Sequence, residues 1–271
     1  MKINTLSSII FALALLAGTA ACKKDAVDTP VSLPPPQQQL PNPLPANALV
    51  AEIKWANTDF TTFDYNNRGQ VERTREQWQY ESGDTGKIRV ITHHFRYDAL
   101  DRPVQIDVSG GFAVKYYYRG NLIDKTEERY PGGAIAREVQ YHYADNRIVR
   151  ETWQVNGLPG ESATTYQILL TYDLNGNLVK VETYDDQQLH LLETVTYSDF
   201  DDAVNPVNWM LRYPYLPQLR WQFNNPRKEV RQLADGSIET VIYQYEYNTD
   251  HLPVLRRKYG PGGTSTMQYR Y

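Results

Sequence analysis

Apolar and polar residues alternate along most of this chain, and turn residues interrupt the alternation at regular intervals. One unit recurs about every 25 residues, a spacing that marks an array of one small structural module. Each copy holds a large apolar or aromatic residue, one spacer and an aromatic. The copies end at Tyr65, Tyr97, Tyr118, Tyr143, Tyr172, Tyr197, Phe223, Tyr247 and Tyr271. In pairs such as Phe63/Tyr65, Phe95/Tyr97, Tyr141/Tyr143, Trp221/Phe223 and Tyr269/Tyr271 the members are two apart, so on a strand both lie on one face. All nine pairs are expected at the same end of alternate strands, as an aromatic band near one rim of a sheet. Tyrosine suits a rim because its ring is apolar and its hydroxyl can reach water or a backbone group.

Turn signals divide the chain into strands. Asp173-Leu174-Asn175-Gly176 and Asn66-Asn67-Arg68-Gly69 fit a type I turn closed by a glycine at positive φ. Asp101 and His251 take the fourth position in two other copies, and Gly120-Asn121 shortens the turn to two residues. A second set falls halfway between, at Ser82-Gly83-Asp84, Gly110-Gly111, Pro131-Gly132-Gly133, Asn156-Gly157, Asp185-Asp186, Asp235-Gly236 and Pro261-Gly262-Gly263. Two turns per period mean two strands per period, and strands joined by tight turns pair antiparallel. The pattern predicts an all-β, up-and-down meander of about 15 to 17 strands. Closing that many strands leaves a bore too wide for wall side chains to fill. The sheet must therefore flatten, bend or keep a polar interior.

The first 21 residues read as an export signal, with Lys2, the apolar run Ile9–Leu16 and the small residues Gly18-Thr19-Ala20-Ala21. Cys22, the single cysteine, follows directly and resembles the acylated cysteine of bacterial lipoproteins. That resemblance implies a membrane partner reached through an N-terminal lipid at Cys22 and placement at the outer membrane. Residues 22–46 form a proline-rich tether (Pro30, Pro34, Pro35, Pro36, Pro41, Pro43, Pro45) that favours extended polyproline II. Residues 47–271 are left as a single β-meander domain. The formal net charge is −4, and losing Lys2 makes it one unit more negative. With no basic stripe, nucleic acid is not an expected partner.

The segment Tyr172-Asp173-Leu174-Asn175-Gly176-Asn177-Leu178 resembles the YD repeats of Rhs-type bacterial proteins, and Phe63–Val71 is the next copy. The run of diverged Tyr-Asp units, with the irregular Tyr197-Ser198-Asp199-Phe200-Asp201 leading to Asn205-Pro206, resembles a family of bacterial lipoproteins of unknown function with a porin-like fold. That resemblance implies a curled or barrel-like meander and supplies no activity.

A lipid-facing barrel wall needs an apolar band on every strand. Strand Val71–Gln77 instead places Arg73 and Arg75 on one face and Glu72 and Glu76 on the other, and Asp124–Arg129 and Val254–Lys258 also carry charge on both faces. The expectation is a water-soluble domain rather than a membrane-spanning one, with an outer-membrane barrel as the alternative.

No catalytic residues stand out. His93 and His94 point to opposite faces of a strand, and Gly160-Glu161-Ser162-Ala163-Thr164 lacks the final glycine of a nucleophile elbow. Acidic residues are plentiful, so a glycan-active hydrolase with carboxylates in a cleft stays open as a second alternative. Asp199, Asp201 and Asp202 are a weak Ca²⁺ candidate without the glycine and distal glutamate of an EF-hand loop. No cofactor is implied. The strongest departure from the repeat, Ser198–Arg220, reads either as a lid that plugs the sheet or as a loop whose Trp209, Tyr213 and Tyr215 are candidate contacts for a glycan or protein ligand. Trp78 and Trp153, mid-strand, are expected to pack on a sheet face. The leading expectation is a non-catalytic, lipid-anchored envelope protein with a binding or structural role.

Overall fold

A computed structural model describes residues 48–80, 87–156, 162–185 and 190–271. The export signal, Cys22, the proline-rich tether, the turn at Ser82-Gly83-Asp84, Gly157, Gly160-Glu161 and Asp186 lie outside the described residues.

Among the described residues, sixteen strands form one closed antiparallel barrel. They begin with β1 (Glu52–Lys54), β2 (Phe60–Tyr65), β3 (Val71–Gln79) and β4 (Ile88–Tyr97). Next come β5 (Pro103–Val108), β6 (Phe112–Arg119), β7 (Leu122–Arg129) and β8 (Ile135–Ala144). The wall continues with β9 (Arg147–Val155), β10 (Thr164–Tyr172), β11 (Leu178–Asp185) and β12 (His190–Ser198). The last four are β13 (Lys228–Leu233), β14 (Ile238–Tyr247), β15 (Pro253–Gly260) and β16 (Gly263–Arg270). Every strand pairs with its sequence neighbours, and β1 closes the ring on β16 through Ile53 opposite Tyr269. The all-β meander expected from the turn spacing is the observed fold, and it closes fully. Closure removes the exposed edges that an open sheet would present.

Alternation sets two faces. Phe63, Thr74, Ile91, His93, Phe95, Ile106, Val114, Tyr116, Val139 and Tyr141 are buried and face inward. The outward positions are charged at many heights. Arg73 pairs with Asp64, Arg96 with Asp107, Lys125 with Glu127 and Glu138, Lys180 with Glu182, and Arg257 with Glu246. Glu127 is only 4% exposed on this outer wall because Tyr117, Lys125 and Arg129 cover it with hydrogen bonds.

The repeat has a structural cause that the spacing alone does not show. Six of the eight tyrosines of the unit sit opposite a β-bulge. Ladder register slips between Asp64 and Tyr65, Arg96 and Tyr97, Tyr117 and Tyr118, His142 and Tyr143, Thr171 and Tyr172, and Glu246 and Tyr247. In every case the extra residue lies in the following strand, just after the turn. A bulge interrupts the ladder and leaves a backbone group unpaired. At five of these six bulges the tyrosine of the next unit fills the gap. Tyr97 donates to the Val71 carbonyl at 2.7 Å, Tyr118 to Pro103 at 2.7 Å, Tyr143 to Ile123 at 2.9 Å and Tyr172 to Ile148 at 2.9 Å. Tyr65 begins the series on Val50 at 2.8 Å, and Tyr271 ends it on Pro253 at 2.8 Å. Burial pushes these phenols above their ordinary pKa, so each stays a donor. Six tyrosines of the aromatic band thus stitch one rim, while Tyr197 lies where β12 and β13 pair without a slip and Tyr247 donates to Asp201. One of the nine expected pairs is not part of the band: Trp221 and Phe223 lie outside the strands, in the segment that leaves the wall after β12.

Candidate functional site

A sixteen-stranded bore needs filling, and residues 199–227 fill it. This segment leaves the stitched rim between β12 and β13 and folds into the lumen as a plug. Its stem is a short antiparallel stub: Asp201 N–H donates to the Asn225 carbonyl at 3.1 Å, Asn205 N–H donates to Phe223 at 2.8 Å, and Val204 bridges Asn224. Asp201 staples the stem by accepting from Ala203 N–H at 3.1 Å, Asn225 N–H at 3.0 Å and the Tyr247 hydroxyl. Among the described residues no three His, Cys, Asp or Glu side chains converge in a metal-like cluster, and Asp199, Asp201 and Asp202 lie along this stem.

The wall docks the stem through the repeat copy most similar to the YD pattern. Asn177, 1% exposed, accepts from the backbone of Phe223 at 2.8 Å and Asn224 at 2.9 Å. Its own N–H donates to Asp173 at 2.8 Å. Gly176 allows the close approach: at φ +88° it leaves no room for a side chain, because a Cβ there would stand 2.8 Å from the Phe223 ring. Leu178 N–H donates to the Trp221 carbonyl at 2.6 Å. The plug therefore occupies the place in the ring where the next stitch would fall.

At the tip, three groups reach the inner wall. Arg212 pairs with Glu151 of β9 at 2.5 Å, and its guanidinium stacks on Trp221 at 4.1 Å. Glu151 is 1% exposed and also accepts from Trp153 Nε1 at 2.9 Å. Burial opposes the Arg212 charge, but Glu151 and the nearby phenols outweigh it and raise its pKa. Tyr215 donates to Glu76 of β3, while its backbone carbonyl accepts from Tyr116 of β6 at 2.5 Å. Its ring packs edge-on to His93 at 5.4 Å. Tyr213 lies beneath Arg137 of β8 at 5.6 Å, and Arg137 also rests on Trp153 at 4.5 Å and pairs with Glu128 of β7. Burial lowers the His93 pKa to about 4, with His94 adding to the effect, and its Nδ1 lies 3.0 Å from the Thr74 hydroxyl. Burial raises the Glu76 carboxyl, with the Tyr215 hydrogen bond acting against it.

The sequence-derived aromatics thus gather at one place. Trp209 and Tyr215 are buried between plug and wall, and Tyr213 is half-buried beside them. Nothing local marks Glu76, Glu151, Asn177 and Arg212 as contacts between plug and wall, because each acts across a separation that no local pattern encodes. Above the tip, toward the rim opposite the stitches, lies a recess of about 370 Å³. Trp55, Asp59, Glu76 and Trp78 form its wall side, and Arg212 and Tyr213 belong to its plug side. Trp78 does face the interior, as a mid-strand packing residue would, but it also lines this recess.

The fold has solved relatives in shape. The chain is similar to a porin-like protein from Bacteroides uniformis, with a TM-score of 0.58 and 14% identity over 83% of this chain and 97% of that one. A porin-like protein from Bacteroides vulgatus gives a TM-score of 0.60 at 14% identity over 82% and 98%. A Tc holotoxin pore from Photorhabdus luminescens is similar at a TM-score of 0.30 and 12% identity, over 12% of that chain, too distant to bear on this fold. No protein-family profile and no curated protein matches the sequence.

Proposed function

We propose that this protein is a lipid-anchored, water-facing barrel of the cell envelope, with a non-catalytic binding or structural role. The observation that carries the reading is the distribution of charge and bulk across the wall. The outer face holds ion pairs at many heights, where a lipid-spanning barrel needs an uninterrupted apolar band. Each arginine at a bilayer midplane would cost about 2–4 kcal/mol. The lumen is occupied by a plug joined to the wall at β3, β6, β9 and β11. The fold shared with porin-like Bacteroides proteins favours an envelope setting, and Cys22 behind its export signal supplies a means of attachment. The half-buried Glu128 and the buried Glu151 are each committed to an arginine, which favours anchoring over acid–base work.

Metabolic labelling with an alkyne fatty acid tests the attachment. The wild-type chain is expected to carry the label in the membrane fraction, and Cys22→Ser is expected to lose both label and fractionation. Unlabelled wild-type chain in the soluble fraction would refute the anchor.

A further inference from the structure

We infer that the recess between the plug tip and strands β1–β3 binds a small organic cation, an amine or quaternary ammonium group with an apolar body. This rests on the binding role proposed above and names its ligand class. The recess holds about 370 Å³, room for a small molecule. Five aromatic residues line it: Trp55, which is 42% exposed at the rim, Phe60 and Trp78 on β2 and β3, and Tyr213 and Tyr215 from the plug. Ring faces carry the negative part of the aromatic quadrupole and attract cations. Trp78 already takes one, since the Arg89 guanidinium rests over it at 5.7 Å.

Two carboxylates complete the site. Asp59 accepts from the Thr58 hydroxyl and the Gln79 backbone N–H, both at 2.8 Å, and Glu76 accepts from Tyr215. Neither has a lysine or arginine partner within ion-pair distance among the described residues. The basic group nearest Glu76 is His93 at 3.9 Å, which burial keeps neutral. The guanidinium on the lining, Arg212, is neutralised by Glu151. The lining therefore sets two carboxylates that carry negative charge without an ion pair beside aromatic rings, of which Trp55 is exposed while Trp78 and Tyr213 already sit under the Arg89 and Arg137 guanidiniums. A neutral sugar would use the rings and leave that charge unmet, whereas a cation uses both.

Ligand-observed NMR and calorimetry on the full chain in nonionic detergent test this with three probes: choline, its uncharged isostere 3,3-dimethylbutanol, and methyl β-glucoside. Choline is expected to bind, with dimethylbutanol weaker by about tenfold, the scale of a desolvated cation–aromatic contact. Trp55→Ala, at the exposed rim, and Glu76→Gln, which keeps an acceptor for Tyr215, are each expected to weaken choline severalfold while the thermal transition is retained. Equal binding of choline and dimethylbutanol, binding of the glucoside without choline, or no choline binding overturns the inference. Fatty-acid labelling of Cys22 reads the anchoring proposal separately, so the two can fail independently.

Discussion

Replacing one stitching tyrosine by phenylalanine removes a single hydroxyl and tests why the repeat exists. Tyr97→Phe leaves the Val71 carbonyl at its bulge without the 2.7 Å donor, and Tyr143→Phe does the same at Ile123, where the bond is 2.9 Å. The ring and its packing remain, so the change isolates the hydrogen bond. Such bonds contribute about 0.5–1.5 kcal/mol net, and more when the abandoned partner is cut off from water. These rim carbonyls lie beside half-buried rings, so about 1 kcal/mol is expected for each variant. For a domain of this size that lowers the melting temperature by about 2–4 °C. The two stitches are four strands apart, roughly 19 Å at the usual inter-strand spacing. They share no partner, so the double variant is expected to lose the sum, about 2 kcal/mol. Urea unfolding followed by tryptophan fluorescence reads the values. Tyr80→Phe, at an exposed tyrosine of the opposite rim, is the control and is expected to change nothing measurable. If Tyr97→Phe and Tyr143→Phe behave like Tyr80→Phe, the stitches do not hold the rim and the repeat needs another explanation.

Three further outcomes follow from the plug and its anchors. Arg212→Ala strands the buried Glu151 carboxylate and is expected to cost about 3–5 kcal/mol, measured by urea unfolding; Arg212→Ala with Glu151→Gln is expected to recover part of it. Gly176→Ala and Gly236→Ala both strain a positive φ, but only position 176 faces the Phe223 ring, so it is expected to cost about 1–3 kcal/mol more in the same assay. His93 is held neutral, with its folded pKa near 4 against an ordinary 6.5, so the unfolded chain takes up a proton first as pH falls. Stability relative to His93→Gln is therefore expected to be lost from about pH 6.5 downward, at about 1.4 kcal/mol per unit, levelling off near pH 4. A flat difference across that window would contradict the buried neutral imidazole.

The hairpin array, its antiparallel order and the tyrosine band were legible in the sequence because each follows from spacing within a few residues. His93 and His94 are separated as alternation requires, one buried and one exposed. Closure was not legible, since β1 has three residues and its pairing with β16 joins the two ends of the chain. Nor was the partner of each tyrosine hydroxyl, which lies between 15 and 26 residues away on a neighbouring unit. Trp221/Phe223 mimics the repeat because an extended stem also spaces its side chains by two. That stem pairs with Val204 and Asn205 inside the lumen and has no place in the wall. The break between Tyr197 and Phe223 located the plug, but its ion pairs to Glu151 and its hydrogen bond to Glu76 depend on strands far away in sequence, which no pattern of apolar and polar positions records.

A barrel that faces water and is filled by its own chain should need no detergent. Detergent-free light scattering of the Cys22→Ser protein tests it most directly. A monodisperse, folded particle in plain buffer, with one cooperative thermal transition, is the expected result. Aggregation that only detergent relieves, together with ion conductance in a planar bilayer, would contradict it.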